Sequence, residues 1–384
     1  MSASPPAWVG GADFGRRAWY AVGMKAALFC TSRYIGDAPQ GVWPVPNEYC
    51  DPEIAEQSMA VTMEQFRLAD VFGFDWVTVA EHHFSSLSLT PNPMIFAGAL
   101  SQVVKRAQIA VLGPSLPTLN PVRVAEEFAM LDAMTGGRLI AGLMRGTPNE
   151  YVTYNFNPSE SRARFAEALE IIRRAWTEPQ PFGWQGRYYQ YRSISIWPRP
   201  VQRPHPPMYM SGSSPEAGEL AAEQHIGLGF AFTTIAQAAK ASAYYQAQCR
   251  EQGWEAKPDD IIYRVGFHVA ETDEEAFDDM GKAPQRVALT TANASINKAM
   301  ADTAYYGRDE SQVTRTATRT LQDRVESGQL LVGSPATIVR QIERIRKEIG
   351  AGILDCPLAA QLGDKTLRSI ELFGTKVLPR IREL

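Results

Sequence analysis

From residue 25 onward, short apolar runs alternate with longer amphipathic stretches. Short unbroken apolar runs fit strands buried on both faces, while apolar residues spaced three and four apart fit helices packed along one side. The pattern predicts strands at 25–30, 75–80, 107–113, 138–143, 207–210, 227–231, 260–270 and 353–356. Helices are predicted at 56–72, 93–104, 121–134, 161–177, 215–224, 235–252, 335–349 and 366–382. Met59, Met63, Phe66 and Ala69 share one face of the first helix. Helix 121–134 opens on Pro121, which suits a first turn, and runs into Gly136-Gly137, which suits a left-handed cap.

Strict alternation of strands and helices on this scale closes into a (β/α)8 TIM barrel. A doubly wound open sheet is the competing arrangement, but no GxGxxG follows the first strand. Three stretches, 31–55, 178–206 and about 272–333, exceed simple connections and read as insertions. The first carries Tyr34, Trp43 and Tyr49 and follows a strand, which places it on the C-terminal rim. The second carries Phe182, Trp184, Tyr188, Tyr189 and Tyr191; it starts from the opposite face, where its aromatics are expected to pack a hairpin. Residues 24–384 are read as a single domain. Residues 1–23, rich in Ala, Gly, Pro and Trp and without a signal-type apolar core, are expected to form a flexible N-terminal extension.

Composition narrows the function classes. A formal net charge of -4 and a pI near 5.9 argue against nucleic acid as a partner, because nucleic-acid binders carry a basic stripe. No apolar run is long enough for a membrane span. The widely spaced Cys30, Cys50, Cys249 and Cys356 make no CxxC pair, which fits reduced thiols in a cytoplasmic protein and no structural zinc.

Chemistry concentrates at Ala80-Glu81-His82-His83-Phe84, where a buried strand should end. The C-terminal ends of barrel strands are where catalytic groups collect, and histidine moves protons near neutral pH. Neighbouring strand residues point to opposite sides, so His82 and His83 should not both face one ligand. A metal-dependent hydrolase would want alternating ligands on one strand with partners at later strand ends. His205, His225 and His268 fall in no such pattern.

An ordered set of motifs resembles the bacterial luciferase-like flavin monooxygenases. It comprises Glu81-His82-His83-Phe84, Leu89-Thr90-Pro91-Asn92-Pro93, the run from Leu116 to Glu127, the run from Leu131 to Leu139, Gly142-Leu143-Met144-Arg145-Gly146 and the stretch from Leu372 to Pro379. The resemblance implies a barrel holding reduced FMN at its C-terminal rim. Relatives react FMNH2 with O2 to give a flavin C4a-(hydro)peroxide that oxygenates a small organic substrate. A separate NAD(P)H:flavin reductase supplies the flavin, and relatives form dimers, so a homodimer is implied.

On this resemblance, His82 matches the catalytic histidine, as general base or support for the oxygenating species, and His83 takes a structural role. Arg145, after strand 138–143, offers a planar fork of donors to the FMN phosphate. Met144 matches a position beside the flavin ring. Gly212, Ser213 and Ser214 open helix 215–224 and supply hydroxyls and backbone N–H groups to the same phosphate. Leu112 and Gly113 match a backbone segment that runs against the flavin, often through a non-prolyl cis peptide, with Gly113 tolerating the strain. Tyr34 and Trp43, in the first rim insertion, are expected to wall an apolar substrate pocket. Two alternatives accompany this reading: an F420-dependent hydride-transfer enzyme on the same fold, and a non-catalytic flavin-binding subunit.

Overall fold

The computed structural model describes residues 23–39, 42–231, 233–283 and 320–384. The expectations for residues 1–22, and for 284–319 within the third insertion, lie outside the described residues. In chain order the strands are β1 (Lys25–Phe29), β2 (Trp76–Val79), β3 (Gln108–Ser115), β4 (Leu139–Met144), β5 (Phe182–Gln185) and β6 (Gln190–Ile194). They continue with β7 (Met208–Ser211), β8 (Gly227–Phe230), β9 (Ile261–Arg264), β10 (Gly266–Val269), β11 (Leu330–Gly333) and β12 (Ile353–Pro357). Eight of them close a parallel barrel in the order β1-β12-β9-β8-β7-β4-β3-β2, the TIM-barrel arrangement that the alternating pattern predicts.

Every predicted barrel strand is present, with one change of extent. The apolar run 260–270 breaks after Arg264: β9 stays in the barrel, and β10 leaves it to pair in parallel with β11. Val265 at the break donates its backbone N–H to the Asp355 carbonyl, so the chain stays tied to β12 as it turns out. Helix α1 (Pro52–Val71) begins earlier than its apolar pattern suggests. The Asp51 side chain accepts from the N–H groups of Glu53 and Ile54 and so caps the helix one turn sooner. Helices α2 (Pro93–Val103) and α3 (Pro121–Thr135) follow, each capped by an asparagine, and α3 ends on Gly136 at φ 64° as expected. The final helix is interrupted: Asp364–Leu372 is α-helical, Phe373–Val377 widens into a π turn, and Leu378–Ile381 resumes.

Two apolar layers hold the barrel. The larger lies between strands and helices. The smaller fills the interior with Trp76, Leu112, Ile140, Tyr209, Ile262 and Ile353 among others, and Trp76 meets Tyr209 edge-on at 5.5 Å. That plug floors everything built above it. The second insertion forms the antiparallel β5–β6 hairpin, as its aromatics predict. Glu167 accepts from the Trp184 indole and from the backbone N–H groups of Tyr188 and Tyr189, and Arg164 lies over the Tyr188 ring.

The end of α1 is locked to the start of β3 by one carboxylate. Asp70 accepts from the backbone N–H groups of Lys105, Arg106 and Ala107 at 3.0, 2.9 and 2.7 Å. Burial pushes its pKa up, but these donors and the Arg106 charge outweigh burial and hold it below the ordinary aspartate value. Asp70→Ala leaves three backbone donors, the buried Ala107 N–H among them, without their acceptor. It should cost on the order of 3 kcal/mol in urea-monitored unfolding at neutral pH, and the loss should shrink in acid, where the wild-type carboxylate becomes protonated.

Candidate active site

A cavity of about 250 Å³ opens at the C-terminal ends of the barrel strands. The interior plug forms its floor through Leu112, Tyr209 and Ile262. His82, on the loop leaving β2, lines it. Its Nδ1 lies 3.1 Å from Oε1 of Glu150, a side chain that is 1% exposed. Glu150 belongs to α4 (Pro148–Thr153), the helix that follows β4. Its other oxygen accepts from the Thr147 backbone N–H at 2.9 Å and from the Thr147 hydroxyl, which completes a capping box. Burial raises the pKa of Glu150, yet its hydrogen bond and charge interaction with His82 and the Thr147 donors prevail, holding it below the ordinary glutamate value. One helix start therefore anchors a buried anion, and that anion orients a cavity histidine.

His83 is not among the lining residues. Its Nε2 sits 3.3 Å from Glu81 and 3.4 Å from the Tyr154 hydroxyl, and its carbonyl accepts from the Trp43 indole at 2.8 Å. Glu81 lines the cavity and also accepts from the Ser115 backbone N–H. Both histidines lie on the loop beyond β2, so their different partners come from the loop's path and not from strand alternation.

Across the mouth, Met144 and Arg145 leave β4, and Ser211, Gly212 and Ser213 leave β7; all five line the cavity. Helix α6 (Pro215–Glu223) starts just beyond them. Gly212 is a packing requirement, because a Cβ there would lie 2.6 Å from the Ala217 methyl. On the remaining side, Arg264 of β9 and Asp355 of β12 form an ion pair at 2.6 Å, with the guanidinium 3.9 Å above the Phe29 ring centroid. Both charged residues line the cavity.

The family model for luciferase-like monooxygenases matches residues 32–352. This chain belongs to that family. Among its relatives, the uncharacterized protein y4vJ of Sinorhizobium fredii is 25% identical over 84% of this chain and 91% of its own length. The oxygenase component of a flavin-dependent trigonelline monooxygenase from Acinetobacter baylyi is 23% identical over 59% of this chain and 63% of its own. Another Sinorhizobium fredii protein, y4wF, is 32% identical, but the chain spans only 45% of its length. In structure, the monooxygenase RslO1 from Streptomyces bottropensis superposes with a TM-score of 0.74 at 25% identity, covering 93% of this chain and 99% of its own. The oxygenating constituent of 3,6-diketocamphane monooxygenase from Pseudomonas putida, solved in complex with FMN, gives 0.73 at 19% identity, with 93% and 98% covered, a likeness of fold.

Within this luciferase-like frame, the structure gathers His82, Leu112, Gly113, Met144, Arg145, Gly212 and Ser213 around one cavity. Ser214 stands behind it and caps α6, its side chain accepting from the Ala217 N–H. Tyr34 and Trp43 are not among the lining residues, in contrast to the expected substrate wall. The Tyr34 hydroxyl accepts from the Asp51 N–H, and the Trp43 indole is spent on the His83 carbonyl, so both are buried as loop packing. The expectation of strained backbone at Gly113 is also corrected. The cis peptides among the described residues all precede proline, at Pro44, Pro198 and Pro204. Glycine at 113 instead avoids a clash, since a Cβ would sit 2.7 Å from the Glu81 backbone nitrogen.

Sequence reasoning assigned no role to Glu81, Glu150, Arg264 or Asp355. The signals were present: Thr147-Pro148-Asn149-Glu150 is a capping-box pattern, and Arg264 and Asp355 are lone charges inside apolar strands. Among the described residues no cluster could hold a metal ion, and no helix is long and apolar enough to cross a membrane. The lowered pKa of Glu150 sets a pH signature. A carboxylate depressed on folding contributes stability above its unfolded pKa and loses it as pH falls through the folded value. Glu150→Gln should cost about 1–3 kcal/mol at neutral pH, and the gap to wild type should close in urea melts below about pH 4.

Proposed function

We propose that this chain is the oxygenase component of a two-component monooxygenase that takes FMNH2 from a separate NAD(P)H:flavin reductase and oxygenates a small organic substrate with O2. The observation that carries the reading is the division of one cavity into a histidine–carboxylate pair, from the loop after β2 and from α4, and a corner of Arg145, Gly212 and Ser213 at the ends of β4 and β7. Membership in the luciferase-like family supports it, as do relatives described as a flavin-dependent oxygenase component and as an oxygenase in complex with FMN.

The corner fits a flavin phosphate. Arg145 supplies charge and Ser213 a hydroxyl. Gly212, where a Cβ would already collide, lets the backbone approach closely. Leu112, Met144 and Ile262 give an apolar floor that keeps water from the reacting centre. Reduced FMN, when bound, supplies the electrons that activate O2. With Nδ1 held by Glu150, His82 exchanges a proton through Nε2. A homodimer belongs to the same reading, supported by exposed Ile95 on α2 and by exposed Met130 and Met134 on the neighbouring α3. A cytoplasmic location also belongs to it, supported by four cysteines free of disulfides.

Mixing protein loaded with anaerobically reduced FMN against O2 in a stopped-flow spectrometer should show a near-UV-absorbing transient before oxidised flavin appears. Direct reoxidation, together with tighter binding of F420 than of FMN, would replace this reading with a hydride-transfer enzyme. Arg145→Ala should raise the FMN dissociation constant by about 10- to 100-fold in a fluorescence titration. His82→Ala should leave that constant nearly unchanged while cutting oxygenated product per reduced flavin by about 100-fold or more.

A further inference from the structure

Arg264 and Asp355 have no part in the phosphate corner or in holding His82. They project from β9 and β12, which are register partners at these two positions, and β12 stands opposite β4 in the closed strand order. Asp355 also pairs in register with Ala27, whose methyl group belongs to the interior layer, so this stretch of the wall faces inward. Nε and Nη2 of Arg264 both lie 2.6 Å from the same Asp355 oxygen, Oδ2. Nη1 has no partner among the described residues, and the buried Oδ1 of Asp355 makes no hydrogen bond. The pair thus carries one unmatched donor and one unmatched acceptor.

We infer that the Arg264–Asp355 pair is a polar subsite for the substrate, which receives an uncharged group able to accept and donate at once, an amide or a hydroxyl, and rejects carboxylates and sulfonates. The inference rests on the cavity being the substrate site proposed above. Two guanidinium groups, Arg145 and Arg264, share the described lining with three carboxylates, Glu81, Glu150 and Asp355. Arg145 is committed to the phosphate corner, and the charge of Arg264 is already answered by Asp355. An anionic substrate group would have to share that charge or be buried without a counter-ion, which is costly. A neutral amide accepts from Nη1, donates to Oδ1 and leaves the ion pair intact. Ile262 on β9 provides apolar surface for the body of the molecule.

Benzamide and benzoate have the same shape and differ in charge, which makes them suitable probes. Ligand-observed NMR on the full chain should show benzamide binding at least about 10-fold more tightly than benzoate. Asp355→Asn, which leaves the guanidinium without its counter-charge, should shift the ratio toward benzoate by about 10-fold or more. Arg264→Met should abolish the benzamide preference, with thermal melts reporting whether each variant is folded. Equal or tighter binding of benzoate to the wild type overturns the proposal, as does no binding of either probe. An unchanged ratio in natively melting variants does the same. If the variants do not fold, the wild-type ratio alone decides. FMN affinity measured on the same wild-type sample separates the two readings. Lost flavin binding with the ratio intact sinks the flavin assignment, whereas retained flavin binding with equal probe affinities sinks this subsite.

Discussion

A carboxylate taken out of water must find donors, and this constraint organises the barrel mouth. Glu81, Glu150 and Asp355 are all buried there, and each is met from a different element. Glu81 takes the Ser115 N–H at the end of β3, Glu150 takes the first turn of its own helix together with His82, and Asp355 takes the Arg264 guanidinium. The bonds to Ser115, His82 and Arg264 each join segments at the ends of different strands. The geometry of the cavity is therefore a by-product of satisfying buried charge, and rigid placement of the side chains that face a ligand comes with it.

The apolar plug beneath makes those bonds strong. Trp76, Tyr209, Ile262 and their neighbours fill the interior below the charged ring and keep the local dielectric low. Glycine at 227 belongs to the same packing, because a Cβ there would run into the Tyr209 ring at 2.3 Å. Bulk on β7 is accommodated by its absence on β8, a small-against-large exchange that strand pairing imposes on a filled barrel.

The architecture was legible because a parallel barrel writes its strands as unbroken apolar runs and its helices as one-sided patterns. All eight barrel strands could be read this way, including the short ones at β7 and β8. The pattern failed where apolarity alone cannot report direction: β9 and β10 look like one run, yet the chain leaves the barrel between them. At the site, residues on strand ends were found because position along a barrel strand carries meaning. Tyr34 and Trp43 misled because an aromatic in a rim loop serves packing as readily as recognition, and sequence does not say which carbonyl or N–H will meet its polar tip. Glu150 was passed over although its capping pattern is local and explicit. What sequence withholds is that the free oxygen of such a cap lies beside a histidine 68 positions earlier.

The strand that begins the barrel is completed by the one that ends it. β1 and β12 are paired along five residues, from Lys25 with Ile353 to Phe29 with Pro357. During synthesis at about 5–20 residues per second, β1 must wait tens of seconds before its second neighbour exists. Over that interval its apolar sequence carries one unpaired edge, the kind of surface that recruits other chains. The barrel can therefore lose its last open edge only once β12 has been made.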